Sequence, residues 1–178
     1  GYCFLNNAAL AAQTALDGGA GSVAILDVDY HHGNGTQDIF YSRSDVLYIS
    51  IHGDPEVTFP YFSGYSDEEG EGEGAGFTVN YPLAPGSETE IWFAALHAAG
   101  GKITRFNPDI LVLSLGVDIF EGDPISAFTL KPVDFWRLGS FISSLQIPTL
   151  LVMEGGYAVR EIGDNVLNVL VGFEDAES

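Results

Sequence analysis

The chain has 178 residues, 46% of them hydrophobic, which suits one globular domain with a full core. No apolar run reaches spanning length, which argues against a bilayer-crossing helix, and the single cysteine excludes both internal disulfides and a thiolate zinc cluster. Twenty-five acidic residues against six Lys and Arg give a net charge of −19, a surface that repels nucleic acid and anionic lipid and attracts cationic ligands.

Cys3 lies among apolar neighbours and is expected to be a buried structural thiol. Asn7 to Asp17 reads as a helix, capped by Asn6 or Asn7 and stopped by Gly18-Gly19. Ser22 to Val28 is a buried strand, Thr36 to Tyr41 a short helix, and Val46 to Ile51 a second buried strand. Residues 53–76 form a long loop rich in Gly, Pro and acid. Phe77 to Leu83 is extended. Ser87-Glu88-Thr89-Glu90 has the pattern of a capping box opening a helix that runs to about Phe106, although Gly100-Gly101 inside it weakens the reading. Asp109 to Leu115 is a third buried strand. Pro132 fits the first turn of a helix to Leu145. Thr149 to Met153 is a fourth strand, and Glu161 to Val171 the last helix. Apolar β-branched strands alternating with helices predict an α/β fold with a parallel sheet between helices. In such sheets, ligands bind beyond the carboxyl ends of the strands. The four apolar runs end in Asp29/His31, Ser50/His52, Asp118 and Glu154-Gly155-Gly156-Tyr157, so the chemistry is expected at one sheet edge.

Asp27-Val28-Asp29-Tyr30-His31 carries the strongest signal. In an extended backbone Asp27, Asp29 and His31 share a face, and carboxylate plus imidazole is a donor set for a divalent metal. With Asp118, Asp29 and His31 make three ligands, which leaves a coordination position open as in a catalytic zinc site. Taken alone, each has an ordinary alternative as a turn or cap residue. Tyr157 follows two glycines and is either a donor to an oxyanion or an interface tyrosine with a satisfied hydroxyl. His52 is expected to be buried and hydrogen-bonded, and His97 structural. Gly33-Asn34-Gly35-Thr36 has the look of a phosphate-cradling turn, which its acidic neighbours oppose. Residues 67–74 hold five acids in eight. They read as a solvated loop, or as a rim that draws cations. Phe59-Pro60-Tyr61-Phe62 just before them is either ordinary packing or the wall of a tunnel for an alkyl chain.

Gly1-Tyr2-Cys3-Phe4-Leu5-Asn6-Asn7, LDVDYHHGNGTQDIFY (residues 26–41), SIHGDP (50–55), SLGVDIFEGDPI (114–125) and MEGGY (153–157) together resemble the arginase-like zinc deacetylases of the histone deacetylase superfamily. The detail of GVDIFEGDPIS and VMEGGYAV is most similar to the acetylpolyamine amidohydrolases. The resemblance implies a three-layer arginase/deacetylase-like fold with a mostly parallel central sheet flanked by helices, present here as the C-terminal part. It implies Zn²⁺ (or Fe²⁺) on Asp29, His31 and Asp118, and Tyr157 as donor to the substrate carbonyl. It also implies substrate contacts from Gly1, Tyr2, Phe62 and Ile125. A structural K⁺ would be bound by Asp27 and Ser50 with carbonyls from Asp29, His31 and Ile51. Asp27 and Asn34 match positions that orient a pair of general-base histidines. In the family that pair lies upstream of the segment matching Gly1, and none of His31, His32, His52 or His97 matches it. The chain opens on Gly1 and its only methionine is Met153, so residues 1–178 are expected to be the C-terminal part of a single deacetylase domain. The expected activity is removal of acetyl groups from N-acetylated amines, with small cationic acetylpolyamines as substrates. The alternatives are a lysine/histone-type protein deacetylase and a non-catalytic metal-binding fragment. A cytoplasmic bacterial protein, able to form a homodimer, without nucleic-acid or membrane partners, completes the expectation.

Overall fold

A computed structural model describes residues 3–175. Its centre is a 5-stranded sheet of β1 (Val23–Asp27), β2 (Val46–Gly53), β3 (Thr78–Leu83), β4 (Ile110–Leu115) and β5 (Thr149–Met153), in the order β3-β2-β1-β4-β5. Every pairing is parallel. β1 lies in the middle and all five of its residues are buried, which is why its sequence is continuously apolar rather than alternating. Successive side chains point to opposite faces. Ala24 and Leu26 join one core with Trp92 and Leu96 of α3 (Thr89–Phe106) and Phe135 and Leu138 of α4 (Pro132–Ser144). Val23 and Ile25 join the other, with Ala8 and Ala12 of α1 (Asn7–Asp17) and Phe40 of α2 (Asn34–Phe40). The expected three layers are therefore present. Among the described residues, no helix is long and apolar enough to cross a membrane.

Most boundaries match the sequence reading. Asn6 caps α1 by accepting from the Ala9 N–H at 2.8 Å, and Pro132 occupies the first turn of α4. Four expectations need correction. Cys3 is exposed, not buried, because it precedes the first element that packs. α2 begins at Asn34, two residues earlier than expected. The capping box at Ser87 does not form: α3 starts at Thr89, its N-cap position is Glu88, and the Ser87 hydroxyl donates instead to the Ala84 carbonyl at 2.7 Å. The last helix, α5, runs from Ile162 to Asp175 and outlasts the expected end at Val171.

α4 and α5 pack backbone to backbone. A Cβ at Gly139 would collide with the Val169 carbonyl oxygen, and one at Gly172 with that of Trp136. Only glycine permits this approach at the crossing. Overpacking of this kind costs about 1–3 kcal/mol. Gly172→Ala is therefore expected to lower the urea midpoint of the chain while leaving its far-ultraviolet circular dichroism unchanged; an unshifted midpoint would show that the two helices separate freely.

Candidate functional site

The carboxyl ends of β1, β4 and β5 build the site. β1 ends at Asp27, and the chain then curls rather than continuing extended. The Asp27 Oδ1 accepts from the Asp29 N–H at 3.1 Å, and the Asp29 Oδ1 accepts from the His31 N–H at 2.8 Å. Two successive Asx-type bonds thus replace the strand ladder. This corrects the expectation that residues 27, 29 and 31 share one extended face. Asp29 and His31 go to the cluster and Asp27 stays behind it. β4 delivers Asp118, which is fully buried and accepts from the Tyr30 N–H through Oδ1 at 2.9 Å.

Asp29, His31 and Asp118 each offer one ligand atom, all within 4.8 Å of one another. His31 Nδ1 lies 3.1 Å from Asp118 Oδ2 and 3.4 Å from Asp29 Oδ1. β5 closes the third side. The Glu154 N–H donates to the Leu115 carbonyl at 2.9 Å, the Val117 N–H to the Gly155 carbonyl at 2.8 Å, and the Gly155 N–H to Asp29 Oδ2 at 2.9 Å. A Cβ on Gly155 would stand 2.5 Å from Asp29 Oδ2 and 2.8 Å from Asp118 Oδ2. Two hard oxygens and one imidazole in a space bounded by a bare glycine fit a single divalent ion.

The electrostatics point the same way. Burial raises the Asp118 carboxyl, as does the nearby Asp29 charge, to about 7. Burial opposes ionisation of Asp29 too, but hydrogen bonds from the His31 ring and from the N–H groups of His31 and Gly155 outweigh it and leave its pKa lowered. Burial also works against a charged His31; hydrogen bonds to Asp118 and Asp29 overcome it and push the imidazole up to about 9. The cluster holds protons that a metal must displace.

Behind it, Asp27 is buried and its pKa is raised well above the usual carboxylate value by burial and then by the Asp29 charge. It accepts from the Tyr48 hydroxyl at 3.2 Å and has no ion-pair partner among the described residues. Sheet register sets Ser50 beside it. His52 is buried and hydrogen-bonded, as expected: its Nε2 lies 2.9 Å from the Gly64 carbonyl and its Nδ1 2.8 Å from Ser50 Oγ. A carbonyl only accepts, so Nε2 carries the hydrogen and Nδ1 receives that of Ser50. Burial lowers His52 to about 4, consistent with a neutral ring. His32 is buried against it, ring centroids 4.5 Å apart, with neither ring nitrogen hydrogen-bonded among the described residues. Burial and then His52 lower it to about 3.

The remaining expected positions vary. Ile51 is buried in β2, and Asn34 opens α2, its N–H donating to the His32 carbonyl at 3.0 Å. Ile125 is exposed and Phe62 more so, at 71%. Phe59 and Tyr61 are exposed as well, so the loop aromatics do not pack into the core. Gly1 and Tyr2 lie outside the described residues. His97 packs edge-on against Phe141, with centroids 4.8 Å apart. In the acidic loop Glu68 is not freely solvated; its Oε2 accepts from Gln37 Nε2 at 2.7 Å and from the Gly64 N–H at 2.8 Å. Sequence reasoning missed Asp123. Its Oδ2 accepts from the N–H groups of Tyr157 (2.7 Å) and Ala158 (3.2 Å), and its Oδ1 from that of Ile125 (3.0 Å). The available signal was an aspartate flanked by Gly122 and Pro124, a turn residue whose carboxylate seeks N–H donors.

Two outcomes follow for metal binding. Between pH 6 and 9, divalent affinity is expected to rise with pH, because His31 (about 9) and Asp118 (about 7) bind protons below those values and must lose them to ligate. Zn²⁺ titration calorimetry in buffers of different ionisation enthalpy should show net proton release near neutrality, and a pH-independent affinity would contradict the ligand set. Gly155→Ala, by pushing on two ligands at once, is expected to weaken Zn²⁺ binding about 10- to 100-fold with the fold intact; unchanged affinity would place the ion elsewhere.

The histone deacetylase domain family matches residues 1–173. The chain is 62% identical over 174 residues to acetylpolyamine amidohydrolase 2 of Pseudomonas aeruginosa, covering 98% of this chain and 51% of that protein. It is 38% identical over 178 residues to histone deacetylase 15 of Arabidopsis thaliana, covering 97% of this chain and 32% of that protein. A crystal structure of acetylpolyamine aminohydrolase from Burkholderia pseudomallei superposes with a TM-score of 0.96 at 46% identity, covering 99% of this chain and 51% of the other. The chain spans about half the length of the amidohydrolases it matches. With its parallel sheet and its Asp-His-Asp cluster in place, the chain belongs to the histone deacetylase domain family.

Proposed function

We propose that residues 1–178 are the C-terminal part of one metal-dependent amidohydrolase domain that removes acetyl groups from N-acetylated amines, with acetylpolyamines as substrates. The observation that carries this is the juxtaposition of Asp29, His31 and Asp118 within 4.8 Å, closed by the Gly155 N–H two residues before Tyr157. The 62% identity to a Pseudomonas aeruginosa acetylpolyamine amidohydrolase supports the substrate class. The net charge of −19 suits a cationic leaving amine.

Asp29, His31 and Asp118 would hold Zn²⁺, or Fe²⁺ in its place, and such an ion supplies Lewis acidity to the substrate carbonyl and to water. Tyr157 donates its phenolic hydrogen to the carbonyl oxygen, where negative charge develops. Phe62 and Ile125 border the approach, together with Tyr2 and the Gly1 carbonyl. General base and acid are histidines on an upstream segment, oriented by Asp27 and Asn34. K⁺ is the ion proposed behind the metal, on Asp27 and Ser50 with carbonyls from Asp29, His31 and Ile51. Ser50 suits that role because its hydrogen goes to His52, which leaves its oxygen lone pairs available. A cation there would also favour the ionised form of Asp27, which burial and the Asp29 charge disfavour. A cytoplasmic site of action accompanies this reading. Acetyl-lysine in proteins is the second reading, supported by the match to the histone deacetylase domain across residues 1–173.

In the full-length enzyme, Tyr157→Phe is expected to lower turnover of acetylputrescine about a hundredfold or more, with metal content by elemental analysis unchanged. Loss of metal in that variant would contradict the donor role. Acetylputrescine and acetylspermidine should give higher kcat/KM than acetyl-lysine peptides; the reverse order selects the second reading.

A further inference from the structure

Asp123 is 7% exposed, lies five residues past Asp118, and pairs with no basic side chain among the described residues. Main-chain N–H groups satisfy it instead. One oxygen takes two adjacent donors, Tyr157 and Ala158, and the other takes Ile125. The 2.7 Å bond to the Tyr157 N–H has the length of a charge-assisted bond. This carboxylate joins two stretches of chain that also meet where the Val117 N–H donates to the Gly155 carbonyl. One is the loop after β4 that carries Asp118 and Ile125. The other follows β5, where Gly155 is already fixed by Asp29 and Val117. Beyond that segment the N–H groups of Glu161 and Ile162, at the start of α5, return to the Ala158 carbonyl. Asp123 holds the backbone between, at Tyr157 and Ala158.

Resting on the reading above that Tyr157 donates to substrate, we propose that Asp123 is a positioning residue: its carboxylate fixes the Tyr157 backbone and the Ile125 wall to one another, and so sets the height of the phenol above the metal ligands. The chemistry of the contact calls for a carboxylate. Asparagine keeps one acceptor oxygen but turns an NH₂ donor toward the donors on the other side, so it replaces one bond set and opposes the other. Alanine removes both. A donor displaced by about 1 Å loses much of its effect on a developing oxyanion, which scales the expected loss at about 10- to 100-fold in kcat.

The test uses the full-length, metal-loaded enzyme with acetylputrescine. Asp123→Ala is expected to lower kcat by that factor with KM changed less than about threefold and metal content unaltered, and Asp123→Asn to recover part of the loss. On a Tyr157→Phe background, Asp123→Ala should cost less than about threefold more, since the group it positions is gone. Hydrogen exchange at the Tyr157 and Ala158 amides should accelerate in Asp123→Ala, and by less in Asp123→Asn. Equal losses on the two backgrounds, or unchanged exchange at those amides, overturn the proposal. Asp123→Asn keeps the test open should the alanine variant fail to fold. A Tyr157→Phe enzyme that turns over normally would instead remove the donor role of Tyr157, and the exchange measurement alone then decides whether Asp123 anchors the loop.

Discussion

Asp29 is the point at which three separated stretches of chain are forced together. One of its oxygens accepts from the His31 N–H, the other from the Gly155 N–H, and a Cβ on Gly116 would stand 2.5 Å from its Cα. A carboxylate so engaged cannot move without moving the ends of β1, β4 and β5. The parallel sheet makes this economical. Since all its strands run the same way, their carboxyl ends stop at one level, and short extensions suffice to bring polar groups into contact.

The same arrangement concentrates negative charge. Asp27, Asp29 and Asp118 lie in or just beyond buried strands, and among the described residues His31 is the one basic group paired with Asp29 and Asp118. Burial raises Asp27 and Asp118, while the imidazole climbs to about 9 by sharing two carboxylates. An apolar replacement would stabilise the fold more cheaply, since buried charges repay their desolvation only with excellent partners. Acid at this depth, gathered around one imidazole, is a donor set that fits a cation.

Much of this could be read in the residues themselves. Continuous apolar runs gave the buried parallel strands, and their polar termini gave the edge where Asp29, His31 and Asp118 meet. The parts that were not readable are those set by tertiary closure. The Ser87 capping pattern lost to a local bond with Ala84, because the hydroxyl found a carbonyl three residues back before it found the helix. The alternation argument for residues 27, 29 and 31 assumed an extended geometry the chain does not adopt, since the aspartates bind their own backbone first. Asp123 was invisible as a contact because its donors at Tyr157 and Ala158 stand 34 and 35 residues further along. Periodicity reports which face a residue is on; it does not report which distant N–H will be waiting there.

His52 has an implication for how this scaffold can be altered. Its ring is tied at both nitrogens, to Ser50 in the sheet and to Gly64 in the aromatic loop, so that loop is held at Gly64 as well as at the buried Thr58 and Pro60, while Phe59, Tyr61 and Phe62 stay exposed between and beside them. Recolouring those exposed rings would change the loop's outer surface and spare the Asp29–His31–Asp118 cluster, whereas an insertion that pulled Gly64 off the imidazole would also disturb Ser50, which stands beside Asp27 in the sheet.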